Sequence, residues 1–416
     1  MASTPGRFTR RLGPFDAVVV GLTAMVGAGV FTVWGPAAAA AGPWLMVGLL
    51  VAAVVAWCNA TSTARLAALM PEAGGTYVYG TRRLGAFWGH LAGWSFVVGK
   101  TASCAAMALT FGTYVSPAHA RSLAVVAVVA VTALSWVGVQ RTAWFGRAVV
   151  AVVLAALATV AVVGLSGPRA AGGPAVGDGG GVLTSAGLLF FAFAGYARIA
   201  TLGEEVRDPA RTIRRAVPIA LAVTLGTYTA IGFTCLWTLG PARLARSTAP
   251  IRDVVESNGL GGLAGATSAV AAIACVGSLL ALALGVSRTT VAMARDRHLP
   301  ARLARIEPRS GSPRWAEGAV GLAVAAAVLL SDTGPIIGLS SFGVLLYYAV
   351  ANASARTLTR DEGRPPRVVP ILGLVGCLTL AVSLPLGSVI AGTAVVLVGV
   401  VAWLLTGRSA PAGPAS

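Results

Sequence analysis

Lysine is nearly missing from this chain. Lys100 is the only one, and every other basic residue among its 31 Lys and Arg is an arginine. Charge of any kind is scarce: 11% of residues are Asp, Glu, Lys or Arg, against about 25% in a soluble domain, which excludes an ordinary water-soluble fold. There are 14 acidic residues, giving a net charge of +17. That excess is not a nucleic-acid footprint, because the arginines punctuate apolar runs instead of forming one patch with interleaved aromatics. The three histidines, His90, His119 and His298, fall near the ends of apolar runs or in loops. No HExxH motif, no paired intramembrane aspartates and no glycine-rich loop before GK[ST] occurs, so nothing points to an enzyme or to a bound cofactor. The five cysteines, at 58, 104, 235, 275 and 377, show no CxxC or Cys/His spacing, which argues against disulfides and structural zinc. A channel would more often repeat polar residues down one helix, and no run does.

What is present is hydrophobicity. The chain of 416 residues is 56% hydrophobic, with a mean hydropathy of +0.80. Repeated apolar runs of about 20 residues read as transmembrane helices. Twelve spans are expected: 15–35, 43–69, 84–115, 120–139, 145–166, 182–203, 213–240, 263–294, 315–332, 335–356, 367–386 and 388–406. The N-terminal stretch before the first run is charged like a signal peptide. The run after it is long and carries a glycine motif, so it reads as a retained span. Most loop arginines then share one face, with Arg121, Arg169, Arg243, Arg246 and Arg252 on the other. The positive-inside rule puts both termini in the cytoplasm of a multi-pass cell-membrane protein. Residues 1–14 are expected to be a cytoplasmic segment, 15–406 one transmembrane domain, and 407–416 a disordered tail.

Two features inside the spans point to function. Lys100 lies about 17 residues, roughly 25 Å of helix, from either polar flank, too far for its stem to reach a headgroup. Intramembrane ionisable residues are functional-site candidates; the alternative is a lysine buried in a neutral form, or one tied to backbone carbonyls as helix glue. Glycine also interrupts two spans. The first carries Met25-Val26-Gly27-Ala28-Gly29-Val30-Phe31, and the sixth carries Phe190-Phe191-Ala192-Phe193-Ala194-Gly195-Tyr196. Small residues in membrane helices commonly serve packing. Here they occupy corresponding places in two successive five-helix blocks, which is the sequence mark of a transporter site built on inverted repeats.

These segments resemble the amino acid–polyamine–organocation (APC) superfamily of permeases. So do Gly203-Glu204-Glu205-Val206-Arg207-Asp208-Pro209 and the stretch Ser287-Arg288 through Leu299-Pro300. The similarity extends over about 15–406. It implies an all-α fold of leucine-transporter type, a five-plus-five inverted repeat (about 15–166 and 182–356) with two further helices (about 367–406). It implies a substrate held at the two breaks by Met25, Ala28, Gly29 and Val30, and by Phe191, Ala194, Gly195 and Tyr196. Gly93, Val97 and Lys100, on one face of the third helix, and Leu282 of the eighth would line the side-chain pocket.

The departures also carry information. Some proton-coupled relatives keep a lysine in the fifth helix, but span 5 has no ionisable residue after Arg147. Where arginine exchangers carry an acid and an aromatic lid, this chain has Ala197 and Leu282. All 14 acidic residues fall in loops or at span ends, so a cationic substrate would meet Lys100 without an offsetting carboxylate, at a cost of several kcal/mol. The expected function is secondary active transport of an amino acid by alternating access, with neutral or acidic side chains favoured over cationic ones. An exchanger of another small organic anion or amine is the alternative. A proton or a counter-substrate is the expected second solute. Lys100 and Arg198 are candidates for coupling, and Glu204, Glu205, Arg207 and Asp208 for a cytoplasmic gate.

Overall fold

A computed structural model describes residues 13–70, 74–136, 143–170, 179–200, 206–307 and 311–406. Apolar sequence with few breakers leaves the backbone no partner but itself in lipid, and only helices satisfy that among single segments. The described chain is accordingly all-α. Its helices are α1 (Pro14–Met25), α2 (Ala28–Thr32), α3 (Trp34–Ala41), α4 (Leu45–Leu69), α5 (Thr76–Leu84) and α6 (Ala86–Val115). There follow α7 (Ala120–Trp136), α8 (Ala143–Ser166), α9 (Val182–Phe193), α10 (Ala197–Ala200), α11 (Pro209–Arg246) and α12 (Pro250–Ser257). The last five are α13 (Gly261–Arg295), α14 (Arg314–Leu330), α15 (Thr333–Arg356), α16 (Val368–Val382) and α17 (Leu386–Thr406).

Among the described residues, ten helical stretches are long and apolar enough to cross a membrane. The expected spans 315–332 and 367–386 correspond to α14 and α16, at 17 and 15 residues. Local chemistry sets the ends. The backbone N–H of Gly13 donates to the Asp16 carboxylate (3.1 Å), and Pro14 occupies the first turn, where its missing N–H costs nothing. Asp208 caps α11 in a left-handed conformation, φ 45°, and accepts from the Arg211 N–H before Pro209 starts the helix. Many buried hydroxyls are self-satisfied: Thr63, Thr110, Thr290 and Ser354 each donate to the carbonyl four residues back.

Helix α6 is the central post. It packs along α13 on one side and α15 on another, and its middle from Gly99 to Leu109 is almost wholly buried. At Gly99 and Gly343 the backbones of α6 and α15 come so close that a Cβ on either would meet the other's main chain at 2.8–3.1 Å. Small residues thus bring helices together without help from water. Helices α2 and α9 pack against one another beside this post, and that junction holds the candidate site. All five cysteines are free and buried.

Candidate functional site

The first break lies where the sequence places it. Helix α1 ends at Met25. Gly27 leaves helical space with ψ −135°, and α2 restarts at Ala28. The second is milder: residues Ala194–Tyr196 tighten into a single 3-10 turn between α9 and α10. Both free backbone groups that a continuous helix would have paired.

The two breaks touch. A Cβ on Gly29 would lie 2.8 Å from Ala192 Cα, and one on Gly195 would lie 2.5 Å from the Ala24 carbonyl carbon and oxygen. One on Gly27 would sit 1.9 Å from Ser278 Oγ of α13. Glycine here is required for close approach. Met25, Ala28, Gly29, Val30, Phe191, Ala194, Gly195 and Tyr196 are all buried at this junction.

Side chains from other helices take the freed carbonyls. Tyr228 of α11 directs its hydroxyl at Met25 O (2.6 Å) and Ala192 O (3.0 Å), joining the two breaks. Ser278 donates to Thr23 O (2.9 Å). Lys100, 4% exposed, donates its Nζ to Ala194 O (3.0 Å), and the Tyr348 hydroxyl reaches the same oxygen at 3.4 Å. So the lone lysine is tied to a backbone carbonyl, and that carbonyl belongs to the sixth-span break. Past the first break, Tyr114 donates to Phe31 O (2.9 Å) and Trp34 to Val30 O (2.7 Å). Tyr196 stacks on Tyr348 with ring centroids 4.9 Å apart.

The remaining expected residues lie around this knot. Val97 and Leu282 are half-buried against the core. Gly93 faces elsewhere: a Cβ there would meet Met293 and Tyr77 at 2.8 Å, toward the end of α13. Arg198 is half-buried on α10. Arg207 and Asp208 are exposed, and Glu204 and Glu205 lie outside the described residues.

Sequence reasoning missed several partners. Tyr228, Tyr348 and Ser278 are ordinary hydroxyl residues in apolar helices, with nothing local to distinguish them. It also missed that Asp16 pairs with Arg147, joining the starts of α1 and α8, and that Arg83 of α5 clips Glu362. The Tyr77 hydroxyl donates to Asp296 (2.5 Å) and lies 3.0 Å from His298 Nδ1. Burial holds the His298 imidazole below its ordinary value, while the Asp296 carboxylate pulls it up. Glu317 adds a feature that its place in the sequence does not show. It stands at a span end, as the sequence says, yet it is only 5% exposed.

Paired broken helices, sealed by side chains and held by one buried ammonium, suit reversible capture of a small zwitterion. Sequence comparison agrees. The family described as "Amino acid permease" matches residues 16–405. An uncharacterized transporter of Mycobacterium tuberculosis is 58% identical over 405 residues, 96% of this chain and 92% of the relative. The branched-chain amino acid permease BcaP of Bacillus subtilis is 24% identical over 98% of this chain and 96% of its own length. Human cationic amino acid transporter 4 is 26% identical over 86% of this chain and 61% of its own length. With its all-α polytopic architecture and a family match from the first broken helix to the last span, the chain belongs to the amino acid permease family of the APC superfamily, a transporter and not an enzyme.

Proposed function

We propose that this permease carries an amino acid across the cell membrane by alternating access, with both termini cytoplasmic, and that it favours neutral or acidic substrates over cationic ones. The observation that carries this reading is the joint between the breaks. The N–H groups of Ala28, Gly29 and Val30 open a new helix and have no helical partner upstream. They suit an α-carboxylate, aided by the helix dipole. The carbonyls of Met25, Ala192 and Ala194 suit an α-ammonium, and each is now held by a hydroxyl or by Lys100. Substrate would replace these contacts.

Lys100 supports the substrate preference. Among the described residues no carboxylate pairs with it, so an added cation would meet an uncompensated ammonium. Met25, Val97, Phe191, Tyr196 and Leu282 would shape the side-chain pocket, and Gly93, which faces Met293 and Tyr77, would not. Arg198, Arg207 and Asp208, with Glu204 and Glu205, would form the inner gate. The two repeats, 15–166 and 182–356, would supply one break each.

Counterflow in proteoliposomes of the pure protein tests this. Vesicles loaded with unlabelled amino acids would be given labelled leucine, alanine, serine, glutamate or arginine, for wild type and Lys100→Met. Uptake of a neutral or acidic amino acid is expected. Loss of glutamate uptake in the variant would mark Lys100 as a countercharge, whereas unchanged neutral uptake would leave it a structural tie. Arginine as the best substrate, in line with the cationic transporter's name, would overturn the charge argument. Absence of counterflow for every amino acid would favour the other reading, an exchanger of a different organic anion or amine.

A further inference from the structure

Away from the breaks, a small cavity opens between α7, α13 and α14. It is lined mostly by aliphatic groups such as Val131 and Leu279, together with Thr132, Ser135, Ser287 and the carboxyl of Glu317. Glycine lets α14 approach closely here: a Cβ on Gly321 would lie 2.5 Å from Thr132 Oγ1, and one on Gly318 3.4 Å from the Trp136 ring. Glu317, in the first turn of α14, is thereby pressed between the helices. Its Oε2 is buried and has no hydrogen-bond partner.

The hydroxyls around it decide which form the site fits. Each has one proton, already given away along its own helix. Thr132 donates to Val128 O (2.8 Å), Ser135 to Thr132 O (2.7 Å) and Ser287 to Ala283 O (2.8 Å). As placed, these protons point at backbone carbonyls and not at the carboxyl, while each oxygen can still accept one. A carboxylic acid has such a proton to give, and Ser135 of α7 lines the same cavity. A bare buried carboxylate without donors is costly. The charged group acting on it is Arg314 of its own helix, half-exposed and 4.0 Å from Glu307. No charged side chain on the described part of α7 lines the cavity, and on α13 Arg288 follows Ser287.

We propose that Glu317 is a proton-binding site, holding a proton as a neutral acid within the α7–α13–α14 cavity and exchanging it during the transport cycle. Helix α13 connects this site to the first break. Leu279 lines the cavity, and the neighbouring Ser278 holds Thr23 O. The exchange step rests on the transport reading above, but the bound proton does not.

Two measurements test it. Infrared spectra of the protein in nanodiscs at neutral pH, wild type minus Glu317→Gln, are expected to show the carbonyl stretch of one protonated carboxylic acid. Absence of the band, or its appearance only when sodium is withdrawn, would overturn the proton site. In proteoliposomes with an internal pH dye, the ratio of protons to leucine or alanine entering is expected to fall at least tenfold in Glu317→Gln. An equal ratio in both would overturn the exchange step. If wild type moves no amino acid at all, the transport reading fails while the infrared band still decides the proton site.

Discussion

The two broken helices solve one problem differently. At the first, the chain leaves helical geometry at Gly27, and the nearest obstacle to a side chain there is another side chain, Ser278. At the second, the backbone only tightens into a 3-10 turn, and what crowds Gly195 is the main chain of Ala24 and Met25. Gly27 is therefore adjustable by its neighbour, whereas Gly195, like Gly29 against Ala192, is fixed by main chain. The carbonyl partners of the two breaks differ too. Hydroxyls serve both, Tyr228 and Ser278 at the first and Tyr228 and Tyr348 at the second, and only the second also has an amine, that of Lys100.

The largest test of this contrast is Gly195→Ala. Backbone cannot move aside as a rotamer can, so the added methyl is expected to cost about 3 kcal/mol or more and to lower the melting temperature in detergent sharply. Gly27→Ala is expected to be damaging as well, but Gly27→Ala combined with Ser278→Gly should recover most of the loss. Equal, unrescued damage at both glycines would erase the distinction. Next comes Tyr228→Phe, which strips two buried carbonyls of their shared donor and should cost about 1–3 kcal/mol. Tyr348→Phe should cost less, because its bond to Ala194 O is long and Lys100 still covers that oxygen. A reversed order would place the stronger tie on the second break.

The smallest effect lies outside the spans. Arg83 holds the Glu362 carboxyl down at about 2, from an ordinary 4.5. A depressed carboxylate contributes stability that is full above the unfolded value and is lost as pH falls through the folded one. Thermal stability of wild type should therefore decline between about pH 4.5 and 2 more than that of Glu362→Gln. Matching pH profiles would show that the clip contributes nothing. Because this pair is exposed, the difference should be slight.

The broken helices were legible in the sequence because two glycine-interrupted spans stood in corresponding places, although glycine in a membrane helix commonly serves packing. Lys100 was legible because an ammonium inside an apolar run needs a purpose. Its partner was not. Ala194 O belongs to a residue 94 positions away, and no local pattern encodes which carbonyl a long side chain will meet. Tyr228 and Ser278 hid among other hydroxyls, most of which bond their own helix. The sequence put Glu317 at a span end and said nothing of its burial. Its burial comes from how α7 and α13 close over α14, which periodicity does not report. Glu204 and Glu205, proposed for the gate, lie outside the described residues.

The solitary lysine has a practical corollary. An amine-directed reagent finds only two kinds of target in this protein, the chain's own N-terminus and Lys100. Sealed as it is here, Lys100 should be inert; whenever the breaks part and water enters, it should become reactive. The rate of its modification would then report, without any introduced probe, how often the path to the middle of the protein stands open.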